Sequence, residues 1–152
     1  MLYMRSLRPS RERLEKAEKP RLVDTPKGKM LIPKPVDVDR LLRKVEKGKL
    51  VTVTQIMDKL AKDFCAAYTC PLTPEIFLWV SAETAEEDLK IGRKQVAPYW
   101  RVINDDGSLN EKFMGGVEIQ ASRLAEEGHT ILLAQGKKPP KVRNFESSLQ
   151  TL

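Results

Sequence analysis

Apolar residues recur at helical spacing in several segments of this chain, with short β-branched stretches between them. Over residues 36–45 the apolar positions fall three and four apart, which predicts a first helix that starts near Asp37 or Asp39. Gly48 suits a left-handed C-cap for this helix. Residues 50–53 are predicted to form a short strand, and Thr54 is predicted to cap a second helix over residues 55–64.

A third helix is predicted over residues 73–89, with Thr73 as its cap. This segment contains no Lys or Arg, and its carboxylates are Glu75, Glu83, Glu86, Glu87 and Asp88. Side chains that read the DNA major groove are usually cationic or amide-bearing. The acidic composition therefore argues against ordinary groove reading by this helix and leaves a protein partner as its alternative role.

The most distinctive stretch is residues 97–109, in which an apolar run is broken by Pro98. Because proline lacks an N–H and disfavours helix in the residue before it, Tyr99 and Trp100 are predicted to lie in an extended or turn segment. The Asp-Asp-Gly run at 105–107 predicts a tight turn. On their own, these features also fit a buried strand whose two aromatic residues belong to the core. A last helix is predicted over residues 118–127, with Gly128 as its C-cap, and a closing strand over residues 130–133.

The net charge of +6 is unevenly distributed along the chain. Residues 1–50 hold 15 basic and 7 acidic side chains, whereas residues 51–152 hold 12 and 14. Residues 1–35 are therefore predicted to form a basic, proline-containing arm, residues 36–133 the folded domain, and residues 134–152 a loose polar and basic tail. The basic arm is consistent with phosphate binding and equally with an ordinary solvated tail. The domain is predicted to be mainly α with short strands, an α+β fold with a winged-helix-like beginning.

Several classes of protein are disfavoured by the composition. Cys65 and Cys70 are too few for a disulfide scaffold or a structural zinc site, and they indicate reduced thiols and a cytoplasmic location. No apolar run is long enough to cross a membrane, so no membrane partner is predicted. The sequence predicts neither a metal site nor a cofactor.

Five segments follow one another in an informative order. They are residues 36–53 with the Gly48 turn, Pro-Tyr-Trp-Arg-Val-Ile at 98–103, Asp-Gly-Ser-Leu at 106–109, Phe-Met-Gly-Gly at 113–116 and Arg-Leu-Ala-Glu-Glu-Gly at 123–128. Together they resemble the C-terminal domain of the alkylguanine-DNA alkyltransferases and the related alkyltransferase-like proteins, over roughly residues 36–131. The family's active-site motif is Pro-Cys-His-Arg-Val followed by an aliphatic residue. The resemblance implies that family's winged-helix-like fold and binding to double-stranded DNA.

The departures from the family pattern concern its chemistry. The resemblance puts Tyr99 at the acceptor cysteine and Trp100 at the neighbouring histidine. A thiolate is the nucleophile that such repair needs, and a phenol with an unperturbed pKa near ~10 is a poor substitute. The chain is therefore predicted not to be an enzyme. Alkyltransferase-like proteins also lack the cysteine and bind damaged DNA without repairing it, but they keep the histidine and an arginine on the recognition helix, and this chain has neither.

The resemblance also implies a set of site residues. The base pocket would be formed by Val53, Pro98, Tyr99, Trp100, Arg101, Phe113, Met114, Gly115 and Gly116, and Val53 falls where the family has a tyrosine that turns the base out of the duplex. The DNA backbone would be contacted by Gln55, Lys90, Arg93, Lys94, Arg11 and Arg13.

Two functions from different classes follow. The first is a non-enzymatic DNA-binding protein that senses alkylated or otherwise altered bases in a pocket walled by Tyr99 and Trp100. The alternative is a repurposed winged-helix protein-interaction domain that no longer binds DNA. In the alternative, the acidic helix would meet a protein, and the old pocket would be filled by the protein's own side chains.

Overall fold

The computed structural model describes residues 21–113 and 115–152. The helices are α1 (Pro35–Leu42), α2 (Val53–Asp63), α3 (Thr73–Lys90) and α4 (Gly116–Glu126). The strands are β1 (Arg21–Thr25), β2 (Gly28–Ile32), β3 (Val51–Thr52), β4 (Tyr68–Thr69), β5 (Val102–Ile103), β6 (Ile131–Leu132) and β7 (Lys141–Val142). Two short 3-10 helices occupy Tyr99–Arg101 and Phe145–Ser148. The predicted class, mainly helical with short strands, is confirmed.

The strands form three small sheets that hold the helices in place. β1 and β2 make an antiparallel hairpin, and β4 adds to β2 in parallel, with Met30 opposite Tyr68. β3 and β5 pair in parallel, with Val51 opposite Val102, which fixes the motif after Pro98 beside the start of α2. β6 and β7 form an antiparallel hairpin. None of the helices in these parts of the chain combines the length and the apolar character needed to cross a bilayer.

Two adjoining apolar clusters make up the core. The larger lies among α1, α2 and α3 and includes Leu42, Ile56, Leu78 and Tyr99. The smaller cluster consists of Leu50, Ile103, Leu109, Leu124, Val142 and Phe145. Trp100 packs against both clusters, so the motif around it lies at their junction.

The starts and ends of three predicted elements differ from expectation. α2 is capped by Thr52, not Thr54, because Thr52 and Gln55 form a reciprocal capping box. Thr73 lies inside α3 and its hydroxyl donates to the carbonyl of Cys70. α1 ends at Leu42, so Gly48, although left-handed at φ +82°, belongs to a later turn.

The connection between α2 and α3 is built around strand β4. Thr69 of β4 donates its hydroxyl to the carbonyl of Met57 and is almost completely buried. β4 therefore ties the connection to both α2 and the β1–β2 hairpin. This connection is longer than the three or four residues of a standard helix-turn-helix.

The two predicted tails differ from expectation where the structure describes them. Residues 134–152 are not loose, because Val142 and Phe145 are buried in the smaller cluster and the Gln150 backbone N–H donates to the Leu50 carbonyl. In the predicted arm, residues 21–32 form the β1–β2 hairpin. Arg11, Arg13 and the rest of residues 1–20 lie outside the described residues.

Candidate functional site

Tyr99, which the sequence resemblance aligns with an acceptor cysteine, is completely buried. Pro98 precedes the 3-10 helix that turns the Tyr99 ring inward, where it meets the ring of Phe113 edge to face at 5.1 Å. The phenol donates a hydrogen bond of 2.7 Å to Oε2 of Glu86 on α3. Burial, together with this hydrogen bond to a carboxylate, raises the pKa of Tyr99 far above its ordinary value. The phenol therefore stays protonated at neutral pH and is not a nucleophile.

Glu86 is held by a second partner, Arg123 of α4. The guanidinium donates from Nε to Oε2 at 3.1 Å and from Nη2 to Oε1 at 2.7 Å, a bidentate pair. Arg123 also lies over the indole of Trp100, 5.0 Å from the ring centroid. Tyr99, Glu86 and Arg123 thus connect the motif to both α3 and α4.

A second ion pair fixes the rest of the motif. Arg101 donates to both carboxylate oxygens of Glu127, with the shortest distance 2.7 Å, and also to the carbonyl of Val45. The indole N–H of Trp100 donates to the same carboxylate at 3.0 Å. Burial opposes ionisation of Glu127, but the hydrogen bonds from Arg101 and Trp100 outweigh it and hold its pKa below the ordinary value. Glu127 is therefore charged, and it neutralises an arginine that would otherwise be buried alone.

Gln120 is a further anchor that the sequence did not single out. It is fully buried, and its amide donates to the carbonyls of Trp100 and Val102 while its oxygen accepts from the Asn110 N–H. A polar residue in a helical pattern gives no sign of such a role. Glu127 and Arg123 lie in the segment that resembles the family's closing helix, but nothing in the sequence indicated that they pair with Arg101 and Glu86.

The predicted base pocket is closed at Tyr99. Pro98 and Phe113 are buried, while Trp100 and Arg101 are engaged with Glu127. Gly115 has φ +85°, and a side chain added there would overlap Ile119, although Gly115 itself is exposed. Gly116 begins α4, and Met114 lies outside the described residues. Tyr99 is therefore packed into the core, and the base pocket assigned to these residues stays a prediction.

Val53 packs against the core cluster that holds Tyr99 and also borders an open cleft of about 370 Å³. The cleft lies between the starts of α2 and α3 and the turn after β5, and its other lining residues are Thr54, Met57, Pro71, Glu75, Leu78, Asn104, Asp105 and Asn110. The backbone N–H and hydroxyl of Thr54 both donate to the Asp105 carboxylate, which closes one end. Carboxylates at two positions give the cleft an acidic rim.

The structure describes four of the predicted DNA-backbone residues, Gln55, Lys90, Arg93 and Lys94. Gln55 is occupied at both ends of its amide, accepting from the Thr52 N–H at 2.9 Å and donating to the Gln150 carbonyl at 3.0 Å. It is a structural cap, and its contact with DNA stays a prediction. Lys90 and Lys94 are exposed, and Arg93 pairs with Asp88 at 3.3 Å.

α3 does not present the acidic surface that its sequence suggested. Glu83 and Asp88 are buried, and Glu86 is committed to Arg123 and Tyr99. Three apolar side chains at or near its start are exposed: Leu72 is 78% exposed, Ile76 59% and Trp79 37%. The acidic residues of this helix thus mainly hold the fold together.

Comparison with known proteins finds similarity of fold only. The chain matches no family model and no curated protein. It is similar to Schizosaccharomyces pombe Atl1, solved in complex with damaged DNA containing O6-carboxymethylguanine, at 20% identity and a TM-score of 0.48. It is also similar to an S. pombe ATL solved in complex with DNA, at 21% identity and a TM-score of 0.47. Each alignment covers 78% of this chain and 94% of that one.

Proposed function

We propose that this protein is a non-catalytic DNA-binding protein that keeps alkyltransferase-like organisation but does not take a base against Tyr99. The observation that argues against a base at Tyr99 is the burial of this residue. Its hydroxyl is bonded to Glu86, which in turn is paired with Arg123. Repair by alkyl transfer needs an activated nucleophile that substrate can reach. A phenol that is buried and stays protonated beside the Glu86 carboxylate meets neither condition.

Support for DNA as the partner comes from the chain's own segments. Each of the five segments that resemble the family contributes to one of the two core clusters, and a net charge of +6 favours a polyanion. Non-specific attraction of this kind depends steeply on salt. Sensing of an altered base, if it occurs, would have to use the cleft beside Val53 or displace Trp100 from Glu127.

The test is fluorescence anisotropy with short duplexes, with and without an alkylated guanine, at two salt concentrations. The full chain is compared with Tyr99→Phe, which retains the ring and removes only the hydroxyl. We expect salt-sensitive binding that is equal for the two duplexes and equal for the two proteins.

Two other results are informative. A preference for the modified duplex that Tyr99→Phe abolishes would show that a base does reach this position. Absence of binding at low salt would end the DNA proposal.

A second candidate function, a protein-interaction module, is favoured by the apolar surface of α3. Leu72 also borders an apolar groove of about 460 Å³ lined by Pro26, Met30 and Tyr68. Exposed apolar patches of this kind often mark interfaces. A photo-cross-linking residue at Ile76 should give a discrete adduct in cells, whereas the same residue at the exposed Lys62 of α2 should not. Equal labelling at both positions would count against this candidate.

A further inference from the structure

Residues 130–143, here called the C-terminal hairpin, form a segment with a net charge of +4. Residues 21–152 contain 21 Lys or Arg and 18 Asp or Glu. The hairpin contributes four of these cations, Lys137, Lys138, Lys141 and Arg143, and no acidic residue. The remaining described residues are therefore nearly neutral, with 17 cations and 18 carboxylates.

The cations of the C-terminal hairpin are exposed and available. All four side chains are exposed, and within residues 21–113 and 115–152 none of them forms an ion pair. Lys141 faces Asp106 and contributes, after the hydrogen bonds from Ser108, to holding the pKa of Asp106 low. Lys137, Lys138 and Arg143 have no such compensation.

The C-terminal hairpin is attached firmly to the domain. Strands β6 and β7 pair, and the Arg143 N–H donates to the Thr130 carbonyl at 2.9 Å. The Leu109 N–H donates to the Pro140 carbonyl, and the Val142 N–H to the Gly107 carbonyl. Because the backbone is fixed, presenting these cations to a ligand costs less conformational entropy than presenting them from a loose tail.

Its position is next to the start of α2. The turn that anchors the C-terminal hairpin includes Asp105, which accepts the hydrogen bonds from Thr54 at the first turn of α2. α3, by contrast, exposes apolar side chains and Glu75. The C-terminal hairpin therefore lies beside the turn that meets the first turn of α2.

We propose that the C-terminal hairpin is the principal surface with which the folded domain holds the phosphate backbone of duplex DNA. This inference rests on the proposed function and assigns its contact surface. Lys137, Lys138 and Arg143 pair with phosphates, and the 84%-exposed Leu133 beside them is free to pack into the minor groove, where leucine is a known wedge residue.

The experiment measures binding of the full-length protein to a fluorescein-labelled duplex of mixed sequence across a series of salt concentrations. The test variant is Lys137→Gln/Lys138→Gln. The matched control is Lys44→Gln/Lys47→Gln, which removes two exposed charges from the turn after α1. Circular dichroism checks that each variant is folded.

The expected result is specific to the hairpin. Each lost phosphate contact reduces the slope of log K against log salt by about 0.9, so the test variant should lose about 2 in slope and bind roughly tenfold more weakly at low salt. The control should keep the wild-type slope. If the wild-type protein binds and both variants behave alike, the hairpin inference is wrong while DNA binding stands. If the wild-type protein does not bind, the proposed function fails as well.

Discussion

The hydroxyl of Tyr99 offers the sharpest test of how this fold is held together. Tyr99→Phe removes one donor from Glu86 without changing the shape of the ring. A hydrogen bond to a charged group contributes about 1.5–3 kcal/mol to stability. Glu86 keeps both hydrogen bonds from Arg123, so the loss should fall toward the lower part of that range, at about 2 kcal/mol.

The assay is urea unfolding followed by circular dichroism, with thermal unfolding as a second measure. For a domain of this size, about 2 kcal/mol corresponds to a fall in Tm of roughly 4–8 °C. The dependence of the free energy of unfolding on urea should not change, because the surface exposed on unfolding is the same. Tyr68→Phe is the control: its hydroxyl bonds the neutral hydroxyl of Thr25 at 2.9 Å in a partly exposed site, so about 0.5–1 kcal/mol is expected.

A double-mutant cycle isolates the interaction itself. Tyr99→Phe, Glu86→Gln and the combination should show a coupling free energy of about 1–2 kcal/mol, because each single change removes the same charge-assisted bond. A coupling within about 0.5 kcal/mol of zero would mean that Glu86 does not act through Tyr99, and the reasoning would be refuted.

Two further predictions concern the chemistry and the charge of the motif. Restoring the family pattern with Tyr99→Cys/Trp100→His should not produce alkyl transfer, because position 99 is sealed from solvent. Loss of the ring also leaves a cavity that costs about 3–5 kcal/mol of stability. The assay is transfer of a labelled alkyl group from DNA to the protein, and measurable transfer would contradict this prediction. Glu127→Gln should destabilise the protein by about 3 kcal/mol at pH 7 by leaving Arg101 unpaired. Folding lowers the pKa of Glu127, so the stabilising effect of its charge is complete above its pKa in the unfolded chain and is lost as the pH falls through its pKa in the folded protein. The difference in urea midpoint between wild type and Glu127→Gln should therefore shrink between about pH 5 and pH 3. A difference that does not vary with pH would contradict this account.

Some features were determined by the sequence alone. Periodic apolar residues predicted four helices close to where they lie, since burying one face of a helix depends on spacing that a single segment already contains. The Asp-Asp-Gly turn was equally local: Gly107 adopts φ +89° and its N–H donates to the Asn104 carbonyl. The absence of a cysteine at position 99 is also a fact of sequence, and it removes the thiolate chemistry whatever the fold.

Only the tertiary structure decided where the charged and aromatic side chains of the motif point. The sequence left Tyr99 either in a pocket wall or in the core. The answer depended on Glu86, 13 residues before it, and on Arg123, which pairs with that carboxylate from another helix. The same holds for the α3 carboxylates, which the sequence suggested as an acidic surface. Asp88 and Glu86 instead pair with Arg93, in the loop after α3, and with Arg123 of α4. A local pattern cannot specify pairing between distant segments, so the sequence predicted the elements of this protein, and packing decided that Tyr99 became part of its core.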